Sequence, residues 1–274
     1  TLSISGRSSL STFMQTKASF IRLATSSFSN DSCDADISGG IKITPSAIEF
    51  SKGNKQLYKI VDNEALFVDG EQIDLSYNQQ SLVTEYSTSI RAVVPQVKDI
   101  ALDAIDLASD GVNLAFNELL GDGNDVGAEI TAQLAEIRAE VDLGFTSDKD
   151  IYFDQDGFSG DDFFSKDFEQ RIETAVESTV QNSIGSLMIA VGQQMLFSGG
   201  DGDAFETRME NFGERIEHEM EARGEKIEKR GEALCQSVVA IDVLEDQLAN
   251  EVDELEGIDL LTTSISSKTN KDLM

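Results

Sequence analysis

Residues 37–75 read ISGGIKITPSAIEFSKGNKQLYKIVDNEALFVDGEQIDL. Their apolar side chains fall in short runs with a period near two: Ile41/Ile43, Ile48/Phe50, Leu57 to Ile60, Ala65 to Val68 and Ile73/Leu75. Alternation of that kind marks strands with one buried face, because successive side chains of an extended chain point to opposite sides. Between the runs stand Thr44-Pro45-Ser46, Lys52-Gly53-Asn54-Lys55, Asp62-Asn63 and Asp69-Gly70. The last pair accepts the positive φ angles of a tight hairpin turn at little cost. An antiparallel meander of four or five strands is predicted. A sheet so short leaves one apolar face bare, and helices from later in the chain must cover it.

After Ser76 the spacing of apolar residues turns helical. Residues 77–120 hold one breaker, Pro95, which is predicted to open a second helix at its first turn. Val126, Ile130, Leu134, Ile137 and Val141 recur at intervals of three or four and predict an amphipathic helix. Ile151-Tyr152-Phe153 offers one short strand or an extended flap. A longer helix follows, its apolar stripe running from Phe164 through Ile172, Val180 and Leu187 to Met195, and Ser198-Gly199-Gly200-Asp201-Gly202 ends it.

The last segment is the most regular. Met220, Ile227, Leu234, Ile241, Leu248 and Leu255 lie seven apart, one half of a heptad seam. Four residues after the first five of these come Gly224, Gly231, Val238, Glu245 and Val252. Each Gly costs about 1 kcal/mol of helix propensity relative to Ala, so both are read as points of close helix approach. Phe205, Met209, Phe212 and Ile216 extend the pattern upstream. Unbroken, the stretch is about 75 Å long. It is predicted to fold back on the helix ending near Phe197 as a long antiparallel hairpin with the Gly-rich loop at its tip.

The fold class expected is therefore α+β, a small N-terminal antiparallel β-meander packed on a mainly α-helical remainder. The expected organisation is a leader over 1-32, the meander over 33-76, a helical region over 77-256 forming one unit with the sheet, and a flexible tail over 257-274. The leader is rich in Ser and Thr and has a single acidic residue, Asp31. Within it ASFIRLATSSF (18–28) has the look of an export signal, interrupted by Arg22. A degraded signal and a disordered leader both fit that composition.

Fifty-one acidic residues against 21 basic ones give the 274-residue chain a formal charge of −30. Nucleic acid, itself a polyanion, is excluded as a partner. No apolar run approaches the roughly 18 residues needed to cross a bilayer, so the chain is read as not membrane-spanning. Two cysteines, Cys33 and Cys235, allow one pairing. No second Cys or His stands near either one, which argues against zinc and leaves a disulfide or two thiols.

Candidate chemistry is sparse. His218 is the one His, and Ala222 stands where a zinc-protease helix needs its second ligand. The nucleophile elbow Gly-x-Ser-x-Gly is missing. Three acidic loops suggest hard cations: Gly121-Asp122-Gly123-Asn124-Asp125, Asp154-Gln155-Asp156-Gly157 and Gly199-Gly200-Asp201-Gly202-Asp203. The second fails as a calcium loop because Tyr152 and Phe163 fall where carboxylates are required, and a turn or cap explains the others as well. No catalytic residue, cofactor or metal site is read from the sequence.

Several short motifs are shared with a known family. Lys42-Ile43-Thr44-Pro45, Val68-Asp69-Gly70-Glu71-Gln72 leading to Leu75, Glu85-Tyr86 with Arg91 and Pro95, Ser198-Gly199-Gly200, and Leu234-Cys235-Gln236-Ser237-Val238-Val239 occur in order. In these the chain resembles the YggN-like proteins, uncharacterised exported proteins of Gram-negative bacteria. The resemblance implies a periplasmic location and a disulfide between Cys33 and Cys235, and it implies no activity. The function expected is a non-enzymatic, chaperone-like or interaction role in the cell envelope with a protein or peptide partner. Self-association through the helical seam is a further use of the same surface. The alternatives are a hydrolase or other enzyme whose carboxylates meet only in three dimensions, or a weak divalent-cation-binding acidic protein.

Overall fold

The computed structural model describes residues 31–120, 125–146, 148–154, 157–159, 185 and 202–267. By its internal contacts the chain forms two units. One takes in the sequence through Ile90, Ile151–Ser159 and everything from Cys235 onward; the other takes in Arg91–Asp150 and Gly160–Leu234.

The first unit holds all the strands. Strand β1 (Asp31–Ile37) stands outside the meander, which runs β2 (Gly40–Ile43), β3 (Ala47–Lys52), β4 (Lys55–Val61), β5 (Ala65–Val68) and β6 (Glu71–Gln72). The turns are those the sequence predicts. Asp62 and Asn63 have φ of 51° and 61° in the three-residue loop between Val61 and Ala65, and Asp69 and Gly70 have 48° and 87° in the two-residue turn between Val68 and Glu71. The meander is not complete in itself, however. A hairpin of β7 (Ile151–Asp154) and β8 (Gly157–Ser159) pairs antiparallel with β2, so the seven-stranded order is β6-β5-β4-β3-β2-β7-β8.

Register aligns the buried residues in rows across the sheet. Ile151, Ile43, Ile48, Ile60 and Leu66 face one another in turn, as do Phe153, Ile41, Phe50 and Tyr58. Each of these side chains is buried. Gly39 and Gly40 let the chain enter this packing. A Cβ on Gly39 would lie 2.3 Å from the Ser51 carbonyl oxygen, and one on Gly40 would lie 2.2 Å from the Tyr152 hydroxyl. Only glycine fits beside a backbone oxygen at that distance.

Helix α1 (Tyr77–Leu120) starts at a capping box. The Gln79 side chain accepts from the Ser76 N–H at 2.8 Å, and Ser76 Oγ accepts from the Gln79 N–H at 3.4 Å. It covers the sheet with Leu82, Val83, Tyr86 and Ile90. Pro95 does not begin a second helix but lies inside this 44-residue one. A proline removes a single backbone bond, here to the carbonyl four residues back at Arg91, and buried Ile90 and Ile100 anchor the turns on either side. The border between the two units falls at Ile90/Arg91, beside that lost bond.

In the second unit, helix α2 (Asp125–Gly144) bears the predicted amphipathic stripe and is tied to α1 by ion pairs, Arg138 to Asp106 at 2.7 Å and Lys98 to Asp142 at 2.7 Å. Helix α3 (Gly202–Glu251) lies antiparallel to the C-terminal half of α1. Arg215 pairs with Glu118, Arg223 with Asp110, and Lys226 with Asp103. Arg230 lies 2.7 Å from the otherwise unpartnered Asp103 Oδ2, an ion-pair distance without hydrogen-bond alignment.

Four expectations need restating. The described partner of the last helix is α1, whose charges complement it; the hairpin expected with the helix ending near Phe197 lies outside the described residues, as do the leader through Asn30 and residues 268–274. The helical region 77-256 does not form one unit with the sheet but divides between two, because both α1 and α3 run from one unit into the other. Of the segment 257-274, residues Leu261–Ser267 form β9 instead of a flexible tail. It pairs antiparallel with β1 from Asp31↔Ser267 to Ile37↔Leu261 in a separate two-stranded ribbon. A polar segment acquires strand structure there because the ladder, not a local apolar pattern, satisfies its backbone. Gly224 is buried, yet among the described residues a Cβ there meets nothing within 4 Å, so no described element makes the close approach expected at this position.

Candidate functional site

Two arrangements of polar residues occur in the first unit. One is sealed. Phe50 stacks on Tyr58 and Tyr86, with ring centroids 4.2 and 5.7 Å apart, and the two tyrosine hydroxyls meet at 3.2 Å. Tyr86 donates to Glu245 Oε1 at 3.2 Å, so its one proton is committed and Tyr58 is the donor between the tyrosines. Glu245 Oε2 accepts the N–H groups of Leu260 at 3.1 Å and Leu261 at 2.8 Å. With 4% of its surface exposed, Glu245 is pushed above its ordinary pKa by burial, although the two backbone N–H groups and the Tyr86 hydroxyl pull it back. Burial, reinforced by the Glu245 charge, holds both tyrosine hydroxyls well above 10, so they remain donors. Every oxygen of this relay has a partner inside the protein.

The other arrangement is open. The Asp69-Gly70 turn reverses the chain into β6, whose Glu71 and Gln72 end the sheet among the described residues. The Ile73 N–H donates to the Leu66 carbonyl at 2.9 Å. Antiparallel pairs alternate between hydrogen-bonded and non-bonded, so the pair Phe67↔Gln72 is a non-bonded one. The N–H and C=O of Gln72 therefore point away from β5. Across from this edge, α3 ends at Glu251 and a 3₁₀ turn follows over Asp253–Leu255. Gln79 holds the two sides together by donating to the Glu251 carbonyl at 2.6 Å. The groove between them has a volume of about 470 Å³. Five of its eight lining residues are acidic, Glu71, Asp74, Glu251, Asp253 and Glu254, and none is basic.

These acids do not chelate. Among the described residues no three His, Cys, Asp or Glu side chains gather as a metal-ligand set. Of the residues singled out by sequence, His218 is exposed on α3. The loops at 121–124, 155–156 and 199–201 lie outside the described residues. Cys33 sits in β1 opposite Ile265, and Cys235 is half-buried on α3. Neither His218 nor either cysteine is among the residues of the groove or the relay. Glu245 had a sequence signal, a carboxylate at a seam-companion position where an apolar residue is expected. The groove had none, since its walls come from positions about 180 residues apart.

No helix among the described residues is long and apolar enough to cross a membrane. No curated protein and no solved structure matches the chain. A family model described as "Protein of unknown function (DUF2884)" matches residues 33–261, well over half of the sequence, and the chain belongs to that family.

Proposed function

We propose that this protein is a non-enzymatic, chaperone-like interaction protein of the periplasm that holds a segment of another polypeptide. The observation that carries this reading is the open groove beside β6, where a sheet edge left unpaired among the described residues meets a wall of carboxylates. The buried ionisable cluster supports it from the other side. Glu245 and the two tyrosines bond to one another and to the backbone inside a closed core, out of reach of a substrate. The five groove acids themselves form no metal-ligand set of three among the described residues, which disfavours a cation or carboxylate-catalysed reaction in this groove.

The periplasmic assignment goes with a Cys33–Cys235 bridge. Chain geometry supports that bridge. Asp242 accepts the Thr263 N–H at 2.9 Å, and Glu245 accepts that of Leu261, so α3 and β9 run antiparallel to each other. Cys235 lies two helical turns before Asp242. Cys33 is in register with Ile265, two residues beyond Thr263, so both cysteines lie further along the same line.

The test is an aggregation assay with a reduced, unfolding basic client protein, together with cell fractionation. Suppression of aggregation at near-stoichiometric amounts, and recovery in the periplasmic fraction, are expected. Failure to suppress aggregation, with no client complex by native mass, overturns the interaction role. Recovery with the cytoplasm overturns the location.

A further inference from the structure

The proposed holding role leaves open what the groove holds, and the backbone and charge of its walls narrow the choice. A strand edge whose N–H and C=O groups point outward binds by adding another strand, because those groups otherwise have only water as partner. At Gln72 both groups point outward. The charge on the walls then selects among occupants. A second copy of this chain, at −30 overall, would bring one acidic wall against another and is repelled. A cation alone would find five carboxylates but no set of three placed to ligate it. An extended segment with alternate Lys or Arg satisfies the backbone and the carboxylates together, since every second side chain of a strand lies on one side. The volume of about 470 Å³ lies within the range of ordinary ligand sites and suits a few residues, not a folded domain.

We infer that β6 takes up a cationic, extended peptide segment as an eighth strand of the sheet, with its basic side chains facing Glu71, Asp74, Glu251, Asp253 and Glu254. Strand addition supplies the affinity and charge supplies the choice of partner. This rests on the interaction role proposed above.

The probe is a fluorescent peptide of roughly seven residues alternating Lys and Thr, titrated into the full chain at about 50 and about 150 mM salt. Three further peptides accompany it, two N-methylated on alternate backbone amides in the two possible registers and one with Glu in place of Lys. The parent peptide is expected to bind, more weakly at the higher salt, and the Glu peptide is expected not to bind. N-methylation on the bonding edge should weaken binding by roughly tenfold, as loss of two or so hydrogen bonds does. Gln72→Pro should do the same with its circular dichroism unchanged, because proline at a non-bonded edge position removes only the outward donor. If that variant fails to fold, the N-methylated peptides still decide.

Equal binding of the parent and both N-methylated registers would overturn strand addition in favour of bulk charge attraction, and no binding of the parent peptide would overturn the site. Aggregation suppression that persists while the peptide fails to bind leaves the holding role intact and removes this site alone.

Discussion

Tyr86 on α1 donates its hydroxyl proton to Glu245 on α3 at 3.2 Å, joining two helices across 159 residues of sequence inside a closed core. The carboxylate also ends two backbone N–H groups at the entry to β9. One side chain therefore ties the sheet, both long helices and the C-terminal ribbon together. An alanine there would strand Leu260, Leu261 and Tyr86 donors away from water, and unpaired buried donors cost about 1–3 kcal/mol each. Glu245→Ala is expected to lose about 3–5 kcal/mol in urea unfolding. Glu245→Gln should lose much less, since its oxygen can accept from the backbone while its amide donates to Tyr86. Equal losses for the two variants would remove the network from the account.

The same residue sets a pH dependence. Burial raises the Glu245 pKa in the folded state, so the native protein holds this proton at pH values where the unfolded chain has released it. Its stabilising contribution is complete below the ordinary glutamate value of about 4.3 and declines as pH rises through the raised value. The stability of the wild type relative to Glu245→Gln should therefore fall on going from pH 4 upward, as read by paired urea midpoints. Asp142 acts in the opposite sense. The Lys98 hydrogen bond and charge hold it below the ordinary aspartate range, so its contribution is present at neutral pH and is lost as pH falls. A rising difference between wild type and Glu245→Gln would contradict the assignment.

Glycines divide into those that must be glycine and those that need not be. A methyl on Gly39 would press on the Ser51 carbonyl at 2.3 Å and on Leu260, and neither backbone nor core can yield cheaply. Gly39→Ala should cost about 1–3 kcal/mol, the range for overpacking. Gly213 and Gly224 are helical with nothing within 4 Å of an added Cβ among the described residues, so Ala there should gain up to about 1 kcal/mol from helix propensity. Thermal melts of the three variants decide the matter. A destabilised Gly224→Ala would restore the close helix approach expected from the heptad pattern.

The proposed Cys33–Cys235 bridge closes a loop of about 200 residues and is worth up to about 5 kcal/mol by chain entropy. Alkylation of natively isolated, unreduced protein should leave its intact mass unchanged, and reduction should add two labels and lower the midpoint. Two labels before reduction would remove the bridge and, with it, one of the supports for a periplasmic location.

The meander was legible because its determinants are local: alternation at Ile41/Ile43 and Ile48/Phe50 and the Asp69-Gly70 turn each act within a few residues. The fate of Pro95 was not, because a local rule for ending helices competes with burial of Ile90 and Ile100 that only the folded core supplies. β9 was misread for the opposite reason. Its segment is polar and carries no core pattern, and pairing with β1, more than 220 residues away, makes it a strand. Glu245 occupies a seam-companion position where an apolar residue is expected, yet its role was not read from that signal, and nothing nearby in sequence named Tyr58 or Tyr86 as its partners.

By itself the sequence determined the α+β class, the strands from β2 to β5, their turns, the long last helix and the acidic character of the chain. All of these follow from the period of apolar residues, from backbone preferences at single positions, and from summed charge. Tertiary structure alone decided that β7 and β8 complete the sheet, that Glu245 is sheltered and satisfied, and that a free edge faces a carboxylate wall. Those features depend on contacts between residues far apart in the chain, and the loop-closure cost of such contacts is met only when the whole core forms.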